Sequence, residues 1–113
     1  MIRSVAVRRA KELQEDCPEG EVTQEFLEDR AIVSVLVNNR ILETDFIESG
    51  KSILLPRRNT EYYDVLGQGI KLGILVPGKK VEEERARLKR IKGKDRFFVI
   101  GYDEDLGSGV QVG

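Results

Sequence analysis

The sequence of 113 residues contains no histidine, no tryptophan and a single cysteine, Cys17. Without histidine the chain lacks the commonest general base and metal ligand of proteins, and zinc sites of the cysteine–histidine type are excluded. One cysteine cannot form a disulfide within the chain, so we expect a cytoplasmic location. Acidic neighbours raise the pKa of a thiol, and we therefore interpret Cys17 as a small apolar residue at a helix end rather than a nucleophile.

The chain also lacks long apolar segments and an excess of charge of either sign. No apolar run approaches the roughly 18 residues of a membrane-spanning helix, and residues 1–10 lack the continuous apolar core of a secretory signal. The net charge is −1, so no overall field draws the chain to nucleic acid or to an anionic membrane. Charged residues make up 35% of the chain. The chain has few Asn, Gln, Met and Cys residues and many Glu, Arg and Lys residues, a balance that is common in proteins from hot habitats.

The residues that are present predict one soluble domain covering 1–113. Hydrophobic residues make up 40% of the chain, which suffices for one modest core. The pattern predicts an α+β fold that is mostly antiparallel β, barrel-like or a sandwich, with an N-terminal helix and one charged helix near 80–92. The N-terminal helix rests on apolar residues at helical spacing before Pro18 and Gly20, namely Ile2, Ala6, Ala10, Leu13 and Cys17. A strand over Ile2–Val7 leading into a shorter helix is the alternative.

The clearest predicted element is a β-hairpin in residues 31–47. Two apolar segments flank Asn38 and Asn39, which tolerate positive φ and suit a two-residue turn. A regular register then pairs Val37 with Arg40, Val35 with Leu42, Val33 with Thr44 and Ala31 with Phe46. The same register places Ser34 against Glu43 and Ile32 against Asp45 on the second face. Apolar residues also occupy that second face and need cover, either from the rest of the fold or from a second chain, and we expect a homodimer or larger assembly that uses this face: Ile32, Leu36 and Ile41.

Further strands are predicted over 52–55, 61–66, 70–76 and 96–102. The segment 62–73 (YYDVLGQGIKLG) is similar to 102–113 (YDEDLGSGVQVG), and each follows a predicted strand. Such a repeat suggests a pseudo-symmetric pair of β units, and chance similarity between two glycine-rich hairpins is the alternative.

No pattern in the chain indicates a catalytic, cofactor or metal site. Gly67-Gln68-Gly69 and Gly107-Ser108-Gly109 lack the spacing and the following helix of a dinucleotide loop, so we interpret both as β turns. The acidic run 103–105 lacks the EF-hand pattern and is typical of a solvated turn. Glu61 and Asp64 show no sign of the separated pKa values that an acid–base pair needs. An enzyme is therefore the least favoured class.

The strongest local charge lies in the segment 85–96. It contains one acidic residue and seven basic ones, which are Arg85, Arg87, Lys89, Arg90, Lys92, Lys94 and Arg96. Such a run could contact the phosphates of a nucleic acid. The alternative is a solvated helix, because Glu82–Glu84 begin the predicted helix and the basic residues end it, as the helix dipole favours. We then expect ion pairs from Glu82 to Arg85 and from Glu83 to Arg87.

The opposite charge is concentrated in residues 12–29, which contain eight acidic residues and no lysine or arginine. If this acidic segment and the basic segment lie on different faces of the molecule, the acidic segment of one copy could contact the basic segment of another. If they lie on one face, they neutralise each other. Two functions stay open. The first is a small non-enzymatic interaction or structural module that self-associates and could also bind a protein partner, and the second is a nucleic-acid-binding module that uses the basic helix 85–96. No motif is specific enough to indicate a family.

Overall fold

The computed structural model describes residues 1–89 and 96–103. These residues form an α+β domain in which five strands and three α-helices follow one another in the order α1 (Ile2–Asp16), β1 (Glu21–Phe26), β2 (Arg30–Val37), β3 (Arg40–Glu48), α2 (Arg58–Gly67), β4 (Lys71–Pro77), α3 (Val81–Arg87) and β5 (Phe97–Tyr102). Single turns of 3-10 helix lie at Ser52–Leu54 and Gly78–Lys80. In the described ranges, no helix has both the length and the apolar character needed to cross a membrane.

The strands form one mixed sheet in the order β1-β2-β3-β4-β5. The first three strands are antiparallel neighbours, whereas β3, β4 and β5 run parallel. Parallel neighbours need a crossover connection, and α2 and the segment that contains α3 supply the two crossovers. Within 1–89 and 96–103 the sheet is open, with β1 and β5 at its edges, so these residues do not form the predicted barrel or sandwich.

The predicted internal repeat is not supported by its first copy. Residues 62–67 belong to α2, and β4 begins only at Lys71, so the first copy is helix, turn and strand rather than two strands around a turn. Most of the second copy, 104–113, lies outside the described residues. The similarity of the two segments thus stays a feature of the sequence.

The N-terminal helix is confirmed and buries one face against the sheet. Its buried residues are Val5, Ala6, Ala10 and Leu13, and they pack with apolar residues of β2, β3 and β4. The helix ends at Asp16, where the backbone N–H of Cys17 donates to the Leu13 carbonyl oxygen over 3.0 Å. Pro18 then follows, as expected just beyond a helix end.

The two-residue turn of the hairpin is also confirmed. Asn38 and Asn39 have φ of 53° and 64°, the positive values that a type I′ turn requires. Val37 pairs with Arg40 as predicted, and Leu36 pairs with Ile41 in the same register. Beyond Ile41 the predicted register was wrong, because Leu42 has no partner and forms a β-bulge. The pairs are therefore Val35 with Glu43, Ser34 with Thr44, Val33 with Asp45, Ile32 with Phe46 and Ala31 with Ile47.

The bulge decides which side chains face which helix. One extra residue in a strand moves every later side chain to the other face of the sheet. Glu43, Asp45 and Ile47 consequently share the α1 face with Val33 and Val35. Phe46 instead joins the second core, which α2 and α3 cover.

Two of the predicted strands were wrong. Residues 52–54 form the 3-10 turn, and 61–66 lie within α2. Tyr62 and Leu66 are buried four residues apart, which is helical spacing, and both pack in the second core. Their strand-like composition is thus overridden by packing on the sheet. The strands predicted at 70–76 and 96–102 are confirmed as β4 and β5.

The charged helix is shorter than the predicted span 80–92. α3 ends at Arg87, and the fully buried Leu88 packs in the second core. Lys89 follows in a turn, and 90–95 lie outside the described residues.

Candidate functional site

Within the described residues β5 is an edge strand of the sheet, and it carries a shallow groove of about 450 Å³, the β5 groove, which is lined by Arg85, Lys89, Phe97, Phe98, Val99 and Ile100. Its apolar wall comes from β5 and its two basic residues from α3 and the turn after it. Ile100 is 37% exposed, so it adds accessible apolar surface at this edge. The groove therefore combines exposed apolar surface with positive charge.

The structure brings some of the predicted basic residues together there. Arg85 and Lys89 line the groove, Arg87 lies on α3, and Arg96 precedes β5. Arg90, Lys92 and Lys94 lie outside the described residues.

The two arginines of α3 are already engaged within the chain. Arg85 donates to Glu82 over 3.0 Å, as predicted, and to the carbonyl oxygen of Val99 over 3.0 Å. Arg87 pairs with Glu84 at 2.6 Å rather than with Glu83. Glu84 is buried, so the ion pair with Arg87 compensates for its lost hydration. Arg87 also donates to the side chain of Asn59.

The acidic segment 12–29 lies at the opposite edge of the sheet from β5. It includes the end of α1 and all of the edge strand β1. Glu21 and Glu25 of β1 are exposed, and their register opposite Leu36 and Ile32 places them on the face that α2 and α3 cover. The acidic and basic clusters thus lie at opposite edges of one sheet.

The expected self-association face of the hairpin is partly covered by the chain itself. Ile32 packs against the second core, and Leu36 is half-buried. Ile41 is 41% exposed. The exposed part of this face is therefore confined to Ile41, near the turn of the hairpin.

A first charge cluster, the Asp45 cluster, is centred on a buried aspartate between α1 and the sheet and consists of Arg9, Glu43, Asp45 and Lys71. The bulge turns both carboxylates toward α1, where Arg9 Nε donates to Asp45 Oδ2 over 2.5 Å. Arg9 Nη2 donates to Glu43 over 3.1 Å, and Lys71 Nζ lies 3.9 Å from the same carboxylate. Asp45 is fully buried, and its Oδ1 has no hydrogen-bond partner among the described residues.

Burial is the largest influence on the pKa of Asp45. Burial first, and then the adjacent Glu43, raise the pKa of Asp45 to about 8, although the hydrogen bond and charge of Arg9 act to lower it. A Cβ on Gly73, the residue opposite Asp45 on β4, would lie only 2.3 Å from Oδ1. The same Cβ would lie 2.6 Å from Cζ of Phe98. Oδ1 is therefore enclosed between β4 and the Phe98 ring and is closed to a substrate.

A second cluster, the Glu48 cluster, lies at the end of β3 on the opposite face of the sheet and consists of Arg30, Glu48, Ser52, Arg58, Glu61 and Tyr62. Arg30 donates to both oxygens of Glu48, over 3.0 Å and 2.6 Å. Ser52 and Tyr62 donate to the same carboxylate over 2.7 Å and 2.6 Å. Each oxygen of Glu48 thus accepts two hydrogen bonds, which identifies the cluster as a structural support.

The remaining groups of this cluster are paired in the same way. Partial burial acts to raise the pKa of Glu61, but hydrogen bonds from Arg30 and Arg58 outweigh it and lower the pKa. Burial and the charge of Glu48 raise the pKa of Tyr62. Glu61 is therefore occupied by two arginines, while Asp64 is exposed on α2, so the two do not form an acid–base pair.

The other candidates from the sequence are structural where they are described. The thiol of Cys17 donates to Glu19 over 3.1 Å, and this bond raises its pKa, in the predicted direction. Gly69 has φ of 77° in the turn between α2 and β4, which a glycine adopts without strain. Throughout 1–89 and 96–103, no group of three or more acidic or cysteine side chains is placed to hold a metal ion. Glu104, Asp105 and the second glycine pair lie outside these ranges.

Sequence reasoning missed both buried clusters. The available signal was a charged residue inside or beside an apolar strand, as at Asp45 and Arg30. A charge in such a place is buried only when it is paired. Its partners, however, come from distant elements, so only the fold identifies them.

The described residues thus form an α+β domain with a mixed sheet, whose β5 edge is apolar and basic. No family model, no curated protein and no solved structure matches this chain.

Proposed function

We propose that this chain is a non-enzymatic interaction module that self-associates through the β5 groove. The observation that carries this proposal is the apolar edge of the sheet at β5, where Ile100 is exposed and Phe97 and Phe98 are half-buried. In the described part of the chain, β5 has a neighbouring strand only on its β4 side. Unpaired backbone N–H and C=O groups at such an edge can pair with a further strand. A partner that adds a strand there also covers Ile100.

The ion pairs of α3 are compatible with this use of the edge. Arg85 donates to the Val99 carbonyl, but a carbonyl oxygen has two lone pairs and can accept a second hydrogen bond. The guanidinium can therefore stay in place at the rim of the interface. With its single half-buried thiol, the module is proposed to work in the reducing cytoplasm.

The test is the solution mass by light scattering across a concentration series. We expect the wild-type mass to rise above that of one chain, and Ile100→Lys to lower it to one chain because a charge would be buried in the interface. Tyr63→Lys is the matched control, since Tyr63 is 49% exposed on α2 away from the groove. A wild-type mass of one chain at every concentration contradicts the proposal.

A second candidate function, binding of single-stranded nucleic acid, is favoured by one specific observation. The β5 groove places Phe97 and Phe98 beside Arg85 and Lys89. Single-strand binders combine basic residues along the backbone with aromatic rings on which bases stack. The basic segment contains no aromatic residue of its own, so this juxtaposition arises only when α3 packs on β5.

The experiment for this candidate is a titration with mixed RNA and DNA oligonucleotides at several salt concentrations. We expect the triple variant Lys89→Glu, Arg90→Glu, Lys92→Glu to lose binding and the wild type to bind more weakly as salt rises. Lys51→Glu is the control, because Lys51 is exposed in the loop after β3. Equal binding by the triple variant and the wild type, or no binding at low salt, excludes this function.

A further inference from the structure

We infer that the partner of the β5 edge is the β1 edge of a second copy, so that copies join head to tail into one continuous sheet. This inference rests on the proposed self-association and adds to it the surface on the other copy. The two surfaces are the β5 groove and the β1 edge, the latter defined by the exposed Glu21 and Glu25.

The strand directions allow β1 of a second copy to pair with β5 while both copies keep the same orientation. β1 is antiparallel to β2, β2 is antiparallel to β3, and β3, β4 and β5 are parallel. It follows that β1 and β5 run in the same direction. A copy displaced along the sheet therefore brings its β1 parallel to β5 with both faces preserved.

Charge favours this joint over the pairing of like edges. Arg85 and Lys89 lie beside β5 on the face that α3 covers, and Glu21 and Glu25 of β1 lie on that same face. In a continuous sheet these residues meet across the joint. Two β5 edges would instead bring basic residues together, and two β1 edges would bring acidic residues together. Complementary charge selects the first arrangement and suppresses the others.

The position of α1 also favours the pairing of β1 with β5. α1 packs on β1 and β2 of its own sheet, whereas Phe98 and Ile100 of β5 lie beyond it on that face. When β1 of a second copy lies beside β5, the second copy's α1 lies beside Ile100. The half-exposed isoleucine is then covered by a helix, as an apolar residue at an interface needs.

A joint between two different surfaces does not close by itself into a pair. Heterologous contacts of this kind give open chains unless a rotation closes them into a ring. We therefore expect a mass that keeps rising with concentration rather than a plateau at two chains. The rise should weaken with added salt, because exposed charges are screened.

The test uses two charge-reversed proteins and their mixture. The β1 variant carries Glu21→Lys with Glu25→Lys, and the groove variant carries Arg85→Glu with Lys89→Glu. We expect each alone to have the mass of one chain, since its two edges then carry the same sign. Mixed in equal amounts, they should regain the wild-type mass, because every reversed edge finds an opposite one. Asp64→Lys, on the exposed face of α2, is the control for a change of charge alone.

The outcomes separate this inference from the proposed function. If the wild type assembles, Ile100→Lys does not, and the β1 variant assembles like the wild type, the groove is an interface but β1 is not its partner. Failure of the mixture to regain mass also overturns the inference, provided that both variants keep the wild-type circular dichroism. A wild type that has the mass of one chain overturns the proposed function itself.

Discussion

The Asp45 cluster and the Glu48 cluster each surround a buried carboxyl group of β3, but they compensate for its lost hydration to different degrees. Asp45 and Glu48 are both fully buried on β3, they face opposite sides of the sheet, and each contacts an arginine. Glu48 accepts two hydrogen bonds on each oxygen, whereas Asp45 Oδ1 has no partner in the described part of the chain. The comparison teaches that the number of donors, not the presence of one arginine, determines how well a buried carboxyl group is compensated.

The clusters also connect different parts of the fold. The Glu48 cluster joins β2, β3, the 3-10 turn and α2, and Tyr102 of β5 donates to the Glu48 backbone oxygen over 2.7 Å. The Asp45 cluster joins α1 to β3, with the additional Lys71 contact from β4. The first therefore fixes the end of the sheet, and the second fixes the position of one helix.

The largest effect is expected from Glu48→Ala. The substitution leaves Arg30 and Arg58 buried without their central partner, and breaking a buried pair in this way costs about 3–5 kcal/mol. We expect the free energy of unfolding, measured by urea denaturation, to fall by that amount. Glu12→Ala is the control, because the exposed Glu12–Arg9 pair contributes about 1 kcal/mol or less. Equal losses in the two variants would show that the Glu48 cluster does not support the fold.

The second prediction concerns pH and uses the raised pKa of Asp45. An aspartate in an unfolded chain has a pKa of about 3.9, and the folded group keeps its proton up to about pH 8. Between these values the folded state binds more protons than the unfolded state, so the free energy of unfolding falls as pH rises. The contribution is complete below the unfolded pKa and is lost as pH rises through the folded pKa.

The measurement compares wild type with Asp45→Asn by urea denaturation from pH 5 to pH 8. Asparagine keeps the size of the side chain but does not titrate. We expect the wild type to lose up to about 1.4 kcal/mol more per pH unit than the variant. Parallel pH profiles would mean that Asp45 is ionised in the folded chain.

The sequence predicts those features that depend on neighbouring residues, and it fails for those that depend on residues distant in the chain. The turn at Asn38 and Asn39 is local, and the residue types alone predicted it. The bulge at Leu42 was not predictable, because β3 is covered on both faces and its apolar residues do not alternate in one register. The error in register hid the Asp45 cluster, since the predicted pairing placed Asp45 opposite Ile32 rather than Val33.

The same distinction applies to α2 and to the β5 groove. For α2 a helical signal was present, because Arg58, Tyr62 and Leu66 are buried at intervals of four residues, but the aromatic and branched residues around them favoured a strand. The groove offered no local signal. Its basic residues precede β5 in the chain, and only the crossover through α3 sets them beside the aromatic ones.

The smallest effect is expected from Gly73→Ala, which tests how tightly the Asp45 cluster is enclosed. The added Cβ would lie 2.3 Å from Asp45 Oδ1 and 2.6 Å from Phe98 Cζ. Such overpacking typically costs about 1–3 kcal/mol, and we expect that loss in the free energy of unfolding. Gly50→Ala is the control, since nothing lies within 4 Å of its added Cβ. If Asp45 is the obstacle, adding Asp45→Ala to Gly73→Ala costs less than the two single changes summed. If the two costs are strictly additive, Phe98 rather than Asp45 is the group that obstructs a side chain at position 73.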